Sequence, residues 1–295
     1  DEFLIETTGD IKLVNSSVTS CSEDDPTWKV STKSITYLNE KKNTVVRGIK
    51  LKVKNVPVFY FPYLRTALGK ERMSGFLTPG LNQTNNGLDI SLPYYFNLAP
   101  NYDLVLTPRY ITNRGSGVAS SFRYLNRKIK GEINFSGLSN DKRYEEDTGR
   151  NNSRWNISLN NNMTFTENFF SSINFHSVSD EYFFRDLGNN QFGETRTSYL
   201  PRKFGLTWNS PSIKVNLDAH RYQILNPFSA QEYRVMPSLT FQSYLSKNDM
   251  FFSLLVNKTR FELEQTNTFI NSFRRIDRSY LAPEFSVKKH FPSSQ

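Results

Sequence analysis

Apolar and polar residues alternate singly along most of this chain, and that alternation commits it to extended strands. In Ile213-Lys214-Val215-Asn216-Leu217-Asp218-Ala219-His220 the odd positions are apolar and the even ones polar. Successive side chains of a strand point to opposite faces, so such a segment has one greasy face and one wet face. Ile129, Gly131, Ile133, Phe135 and Gly137 alternate in the same way with Lys130, Glu132, Asn134 and Ser136. Trp155, Ile157 and Leu159 do so with Asn156, Ser158 and Asn160, and Phe204, Leu206 and Trp208 with Lys203, Gly205 and Thr207. Leu104, Leu106, Pro108 and Tyr110 repeat the pattern, as do Leu281, Pro283, Phe285 and Val287.

The pattern predicts strands at roughly 88–96, 102–111, 118–126, 129–138, 154–165, 169–178, 197–208, 212–222, 232–245, 249–263 and 279–288. Several approach the ~9–11 residues with which a tilted strand crosses a bilayer. Strands of soluble sheets average about 5–6. Short turns such as Ser139-Asn140-Asp141, Asn209-Ser210-Pro211 and Ser246-Lys247-Asn248-Asp249 alternate with longer polar loops at 141–153, 180–196 and 264–278. Short turns at one end and long loops at the other are the habit of outer-membrane barrels. No apolar run reaches the ~18 residues of a transmembrane helix, so a helical membrane protein is excluded, whereas a barrel is not. Hydrophobic residues make up 37% of the chain, yet 24 Phe and 15 Tyr are too many for a disordered polymer. A soluble β-sandwich would also alternate and stays open. The Asn, Lys, Arg, Ser and Asp on the polar face fit a water-filled lumen better.

Residues 1–72 differ. Ile11–Val18, Trp28–Ser31, Ser34–Leu38, Val45–Val53 and Val56–Phe61 form shorter β segments. Val56-Pro57-Val58-Phe59-Tyr60-Phe61-Pro62-Tyr63-Leu64 is apolar on both faces and is expected inside a sheet-on-sheet core. Arg65, Lys70, Glu71 and Arg72 mark a charged hinge, which divides the chain into domains 1–72 and 73–295. Proline stands early in three predicted strands, at Pro201, Pro237 and Pro283, where no ladder donor is lost.

Catalytic chemistry finds no foothold. His176, His220 and His290 are far apart and lack metal-site or nucleophile-base spacing, and His176 and His220 are expected solvated on the lumen side. Glu145-Glu146-Asp147 lacks the alternating pattern of a calcium loop. There is no Gly-rich phosphate loop. Neither an enzyme nor any cofactor or metal is expected. Cys21 is the one cysteine, which excludes an internal disulfide; it is either a small buried residue or the half of a bond whose partner lies outside this chain. The net charge of +9 is spread through turns and one strand face, which fits an anionic solute or lipid better than nucleic acid; mere solubility is the third reading. Asp1-Glu2-Phe3-Leu4 is not a signal peptide, so the chain is expected to be mature or an interior piece.

Specific strings then carry a resemblance. They are Thr19-Ser20-Cys21 with Asp25-Pro26-Thr27-Trp28-Lys29-Val30, the stretch Val56 to Leu64, Arg72-Met73-Ser74-Gly75-Phe76-Leu77-Thr78-Pro79, the stretch Pro93 to Asp103, and Thr107-Pro108-Arg109-Tyr110 with Arg114-Gly115 and Phe122-Arg123-Tyr124-Leu125. Together they resemble the LptD family of bacterial outer-membrane proteins that assemble lipopolysaccharide. Residues 126–295 match only in strand pattern, and Phe96 stands where Trp is common in the family. The resemblance implies an all-β interior piece: the end of a periplasmic β-jellyroll at 1–72, then the first part of a large transmembrane β-barrel, incomplete at about eleven strands. It implies lipopolysaccharide received on the periplasmic side from the bridge protein LptA, a barrel plugged by the lipoprotein LptE, and delivery into outer-membrane lipid. It also implies a lateral gate weakened by Pro79 and Pro93, in the first two barrel strands, and a disulfide from Cys21 to a cysteine near the far end of the barrel. The alternative is a passive outer-membrane porin.

Overall fold

The structure is a computed structural model that describes residues 2–5, 9–22, 26–40, 42–67, 72–187, 198–226, 233–247, 249–263 and 275–288. It divides into two compact units, Asp1–Leu81 with Ile90–Thr107 and Asn82–Asp89 with Pro108–Gln295.

The first seven strands are β1 (Glu2–Ile5), β2 (Ile11–Val14), β3 (Ser17–Val18), β4 (Trp28–Ser31), β5 (Ser34–Leu38), β6 (Asn43–Val53) and β7 (Val56–Ala67). They form one antiparallel sheet in the order β1-β2-β5-β6-β4-β3, with β7 also on β6. The long strand β6 is the spine. Its first half pairs with β5, its second half with β4, and its other edge with β7 over nearly its whole length. The sequence leads one to expect β7 in a core, but much of the strand lies open. Phe61 is 8% exposed, but Val56, Val58, Tyr60 and Tyr63 are 42–61% exposed. An all-apolar strand is buried only where sheets or helices cover both faces; here Phe61 packs on Phe76 of the other sheet at 5.0 Å, while Val56, Val58 and Tyr60 stay open.

The remaining elements are β8 (Gly75–Phe76), β9 (Gly80–Thr84), β10 (Gly87–Ser91), β11 (Tyr94–Ala99), β12 (Tyr102–Ile111), β13 (Gly115–Leu125), β14 (Ile129–Ser139), α1 (Lys142–Thr148), β15 (Arg154–Thr166), β16 (Phe169–Val178), α2 (Phe183–Leu187), β17 (Tyr199–Asn209), β18 (Ile213–Ile224), β19 (Arg234–Lys247), β20 (Met250–Glu262) and β21 (Arg275–Val287). Their 14-stranded antiparallel sheet runs from β21 back through β12 to β10 and β9, with β11 paired to β12 and to β8. Among the described residues fourteen strands replace the expected eleven, because the predicted strand 88–96 is two, β10 and β11, and because β8 and β9 are too short to show a period. The loops at 141–153 and 180–196 hold the helices α1 and α2. Residues 188–196, 264–274 and His290 lie outside the described residues.

The faces of this sheet are inside out relative to a soluble protein. Register links the apolar positions across neighbouring strands: Phe122 opposite Ile133, Ile133 opposite Leu159, Leu159 opposite Phe175. Farther on, Ile173 faces Phe204, Leu206 faces Leu217 and Leu217 faces Leu239, and Val215, Phe241, Val256 and Leu281 follow in one row. This apolar face lies open, with Ile133, Phe135, Trp155, Phe204, Trp208, Leu239, Leu281 and Phe285 each at least 37% exposed. The opposite face carries a polar row, Lys130–Asn162–Ser172–Gly205–Asp218–Ser238–Thr259–Arg278. It is on that face that side chains are sheltered, as at Asn134, Asn156 and Thr259, all below 7% exposure. A row of cross-strand pairs this wide costs free energy in water and is at home in hydrocarbon.

The two faces respond oppositely to charge. In the full-length protein, Leu217→Arg should destabilise the sheet in lipid vesicles by about 2–4 kcal/mol in denaturant titration. Asn216→Arg, one residue away on the other face, should shift it by less than about 1 kcal/mol. Equal penalties would rule out a lipid-facing row.

Candidate functional site

Two places in the fold gather chemistry. The first is in the unit containing residues 1–81 and 90–107, where the strand ladder is interrupted. Pro79 lies between β8 and β9, and Pro93 between β10 and β11. Both were expected inside strands and instead stand at breaks. Proline has no N–H for the ladder, and the residue before it is steered away from regular pairing. At Leu92-Pro93 the chain changes partners: β10 neighbours β9 and β12, whereas β11 neighbours β8 and β12. The Pro93 carbonyl still accepts from the Leu77 N–H at 2.9 Å.

Around these breaks the rings of Phe59, Phe61, Phe76, Tyr94 and Phe96 follow one another with centroid spacings of 6.1, 5.0, 4.8 and 4.6 Å. The series carries one apolar track from β7 across β8 to β11. Arg72 contacts Tyr95, whose side chain alternates with Tyr94 and Phe96 along β11. Its Nε donates to the Tyr95 hydroxyl at 2.8 Å and its Nη1 to the Pro100 carbonyl at 3.2 Å, and it pairs with Asp103. The Asn97 side chain donates to the Arg72 carbonyl at 2.7 Å. Arg72 is therefore an anchor, although its charge suggests a hinge; Lys70 and Glu71 lie outside the described residues.

Cys21 lies between β3 and β4, half-buried and free in this chain. Its N–H donates to Thr19 Oγ1 at 3.1 Å, and that hydroxyl donates to the Trp28 carbonyl at 2.6 Å. A hydrogen bond from the Trp28 backbone holds its thiol below the usual cysteine range, outweighing burial. A lowered pKa makes a thiol a readier partner for exchange.

The second place is the long-loop end of the larger unit, where a buried ionic cluster joins three turns. Arg154, first residue of β15, has no exposed side-chain surface. It donates to Asp180 from Nε at 3.0 Å and from Nη2 at 2.7 Å, and from Nη1 to Asp141 at 2.9 Å and Asp186 at 3.1 Å. Its guanidinium lies 4.1 Å from the centroid of Tyr144 and 5.7 Å from that of Phe183. Arg114 Nη1 reaches the same Asp141 carboxylate at 2.8 and 3.1 Å. Asp141 also caps α1 by accepting from the Tyr144 N–H at 3.1 Å, and Gly149, at φ 66°, ends that helix in the left-handed region. Beneath lies an apolar cluster of Ile111, Leu138, Val178, Phe183, Phe184, Leu187, Leu200 and Leu225.

These arginines and aspartates fall on separate strands and loops, and no linear motif announces them. Only the Asp141-to-Gly149 frame was a visible helix signal, a capping acid followed by a terminating glycine. His176 was expected solvated. It is half-buried, its Nε2 2.7 Å from Asn156 Oδ1 and its ring against Phe184 of α2, because the second loop folds onto the polar face.

Comparison with known proteins gives these places a context. Residues 152–295 match the family model LptD, LPS transport system D. The LPS-assembly protein LptD of Mannheimia succiniciproducens is 32% identical over 258 residues, 86% of this chain and 33% of its own length. Those of Sodalis glossinidius and of Legionella pneumophila (strain Lens) are 30% identical over 279 and 300 residues, 93% and 94% of this chain and 35% of each relative. The chain thus spans about a third of the length of the curated relatives it matches. A solved structure, the outer membrane channel DcaP of Acinetobacter baumannii, superposes with a TM-score of 0.30 at 10% identity over 94% of this chain and 82% of that one, a likeness too slight to build on.

Removing one partner of a buried ion pair strands the other. Arg154→Met should therefore destabilise the loop end by roughly 3–5 kcal/mol. Limited proteolysis of the full-length protein should then cut at 142–153 or 180–187 while the strands stay protected. An unchanged cleavage pattern would show that the cluster does not hold the loops.

Proposed function

Because the chain belongs to the LptD family, we propose that it forms part of the device that carries lipopolysaccharide to the cell surface, without catalysis. The observation that carries this reading is the inverted sheet: an open apolar face set in outer-membrane lipid and a polar face lining the interior. The 30–32% identity to LPS-assembly proteins across the chain supports it. Residues 1–72 would be the periplasmic portion, a jellyroll that receives the glycolipid from LptA, and 73–295 the beginning of a barrel plugged by LptE. A passive porin has no use for the aromatic track between β7 and β11, which suits acyl chains.

Export through a sealed wall is prevented by backbone hydrogen bonding, since every broken ladder bond in hydrocarbon costs several kcal/mol. A seam with fewer bonds to break opens more readily. Pro79 and Pro93 supply such places in this reading, letting acyl chains leave sideways while the sugar passes through the interior. Cys21 would bond a cysteine elsewhere in the longer protein and tie the jellyroll to the barrel. Closure of so long a loop is worth a few kcal/mol in the chain-entropy account.

Depletion of the full-length protein should lower surface lipopolysaccharide, read by labelling of intact cells, and leave small-solute uptake unchanged. The reverse pattern would favour a porin. Pro79→Ala with Pro93→Ala should slow delivery several-fold, and delivery at the normal rate would end the gating role. Cys21→Ser should abolish a mobility shift between reduced and non-reduced full-length protein on gels.

A further inference from the structure

At the long-loop end, a cavity of about 340 Å³ is lined by four arginines, Arg109, Arg114, Arg143 and Arg185, against two aspartates, Asp89 and Asp186. It lies in the size range of sites that hold small ligands. Asp89 is already committed, bound by Arg109 through two bonds of 2.8 and 2.6 Å. Asp186 is shared among Arg154 at 3.1 Å, Arg185 at 3.1 Å and, more distantly, Arg114 at 4.0 Å. The carboxylates of the lining are thus engaged while guanidinium donors remain. Arg143 directs Nη1 to the neutral acceptors Asn85 O and Asn86 Oδ1 at 3.2 and 3.3 Å, and Asp147 is 3.8 Å from its Nε. Arg185 lies across the Tyr182 ring at 4.1 Å with its side chain 64% exposed.

Arg114 supplies the independent sign. Its side chain is only 4% exposed, yet its Nε has no hydrogen-bond partner. A buried donor of a charged group left unpaired is costly, and such a group in a native site calls for a missing acceptor. Planar guanidinium forks match the oxygens of phosphate better than any other side chain does.

We propose that this cavity binds a phosphate monoester anion, held by Arg114 from below and by Arg143 and Arg185 from its rim. The chemistry is shared by free phosphate and by a phosphorylated sugar; that the natural carrier is the sugar of a glycolipid rests on the transport reading above. Four turns contribute to the cavity: Asn85-Asn86 after β9, Arg114 after β12, and the loops bearing α1 and α2. It therefore exists only when these loops are seated, which couples anion binding to the Arg154 cluster.

The test is equilibrium dialysis of the full-length protein in a phosphate-free detergent at low salt, against radiolabelled orthophosphate, glucosamine 1-phosphate and glucosamine. Saturable binding of either phosphate compound, weakened roughly tenfold or more by Arg143→Gln with Arg185→Gln, is expected. Those two side chains are 45% and 64% exposed, and their replacement leaves the buried contacts of Arg154 with Asp141 and Asp180 in place. Arg260→Gln with Arg275→Gln, the same charge change on β20 and β21, should leave binding unaltered. Tighter binding of glucosamine 1-phosphate than of orthophosphate identifies the sugar as the source, and the opposite order identifies the free anion. No saturable phosphate binding, or equal binding by the double variant, overturns the proposal. Failure of the transport reading would appear instead in the depletion experiment and would leave this binding measurement standing.

Discussion

Every peptide group in this protein needs a hydrogen-bond partner, and the antiparallel ladder is how a chain with this alternation provides one. Once the ladder forms, side chains have only two faces to choose between. Here the chain places its aromatics and branched aliphatics on the open face and its amides, hydroxyls and charges on the sheltered one. In water that choice would be penalised residue by residue. In a bilayer it is the low-energy arrangement, because the backbone is already satisfied and only the outward side chains meet hydrocarbon. The loops, the helices and the ionic cluster presuppose this sorting. A polar interior is what allows Arg154, Asp141 and Asp180 to sit together at one end of the sheet.

Such sorting makes much of the fold legible from composition along the chain. Strands β12 and β16 begin and end where the sequence predicts, and β14, β18 and β20 deviate by no more than a residue or two at an end. The misses have physical causes. Leu92-Pro93 interrupts a run that otherwise alternates, and pattern alone cannot weigh one lost donor against the regular positions around it. Strand β7 has the composition of a core strand, but burial depends on what lies over it, which its own residues do not encode. The ionic cluster was invisible for the same reason. Arg114, Asp141, Arg154, Asp180 and Asp186 are each ordinary turn-side charges until the register of β13 to β16 stacks their turns at one end.

The two gathering places differ in what holds them. The track from Phe59 to Phe96 is a series of ring contacts, individually worth about 0.5–1.5 kcal/mol and tolerant of rearrangement. The loop end depends on charges withdrawn from water, where loss of a single partner is severe. A buried ionic cluster suits permanence, because it holds the three turns in one arrangement.

From β12 to β21, apart from the two helices, each strand hydrogen-bonds to the next one in the chain. Such an order can be built by successive addition, each hairpin using the edge left by the one before, with only the connection between neighbouring strands to close at each step. The contacts around Arg154, by contrast, span Arg114 to Asp186 and cannot be completed until β13 through β16 are in place. They would serve as a checkpoint late in assembly: a half-zipped ribbon exposes stranded charges that discourage it from settling, and only the properly threaded product neutralises them.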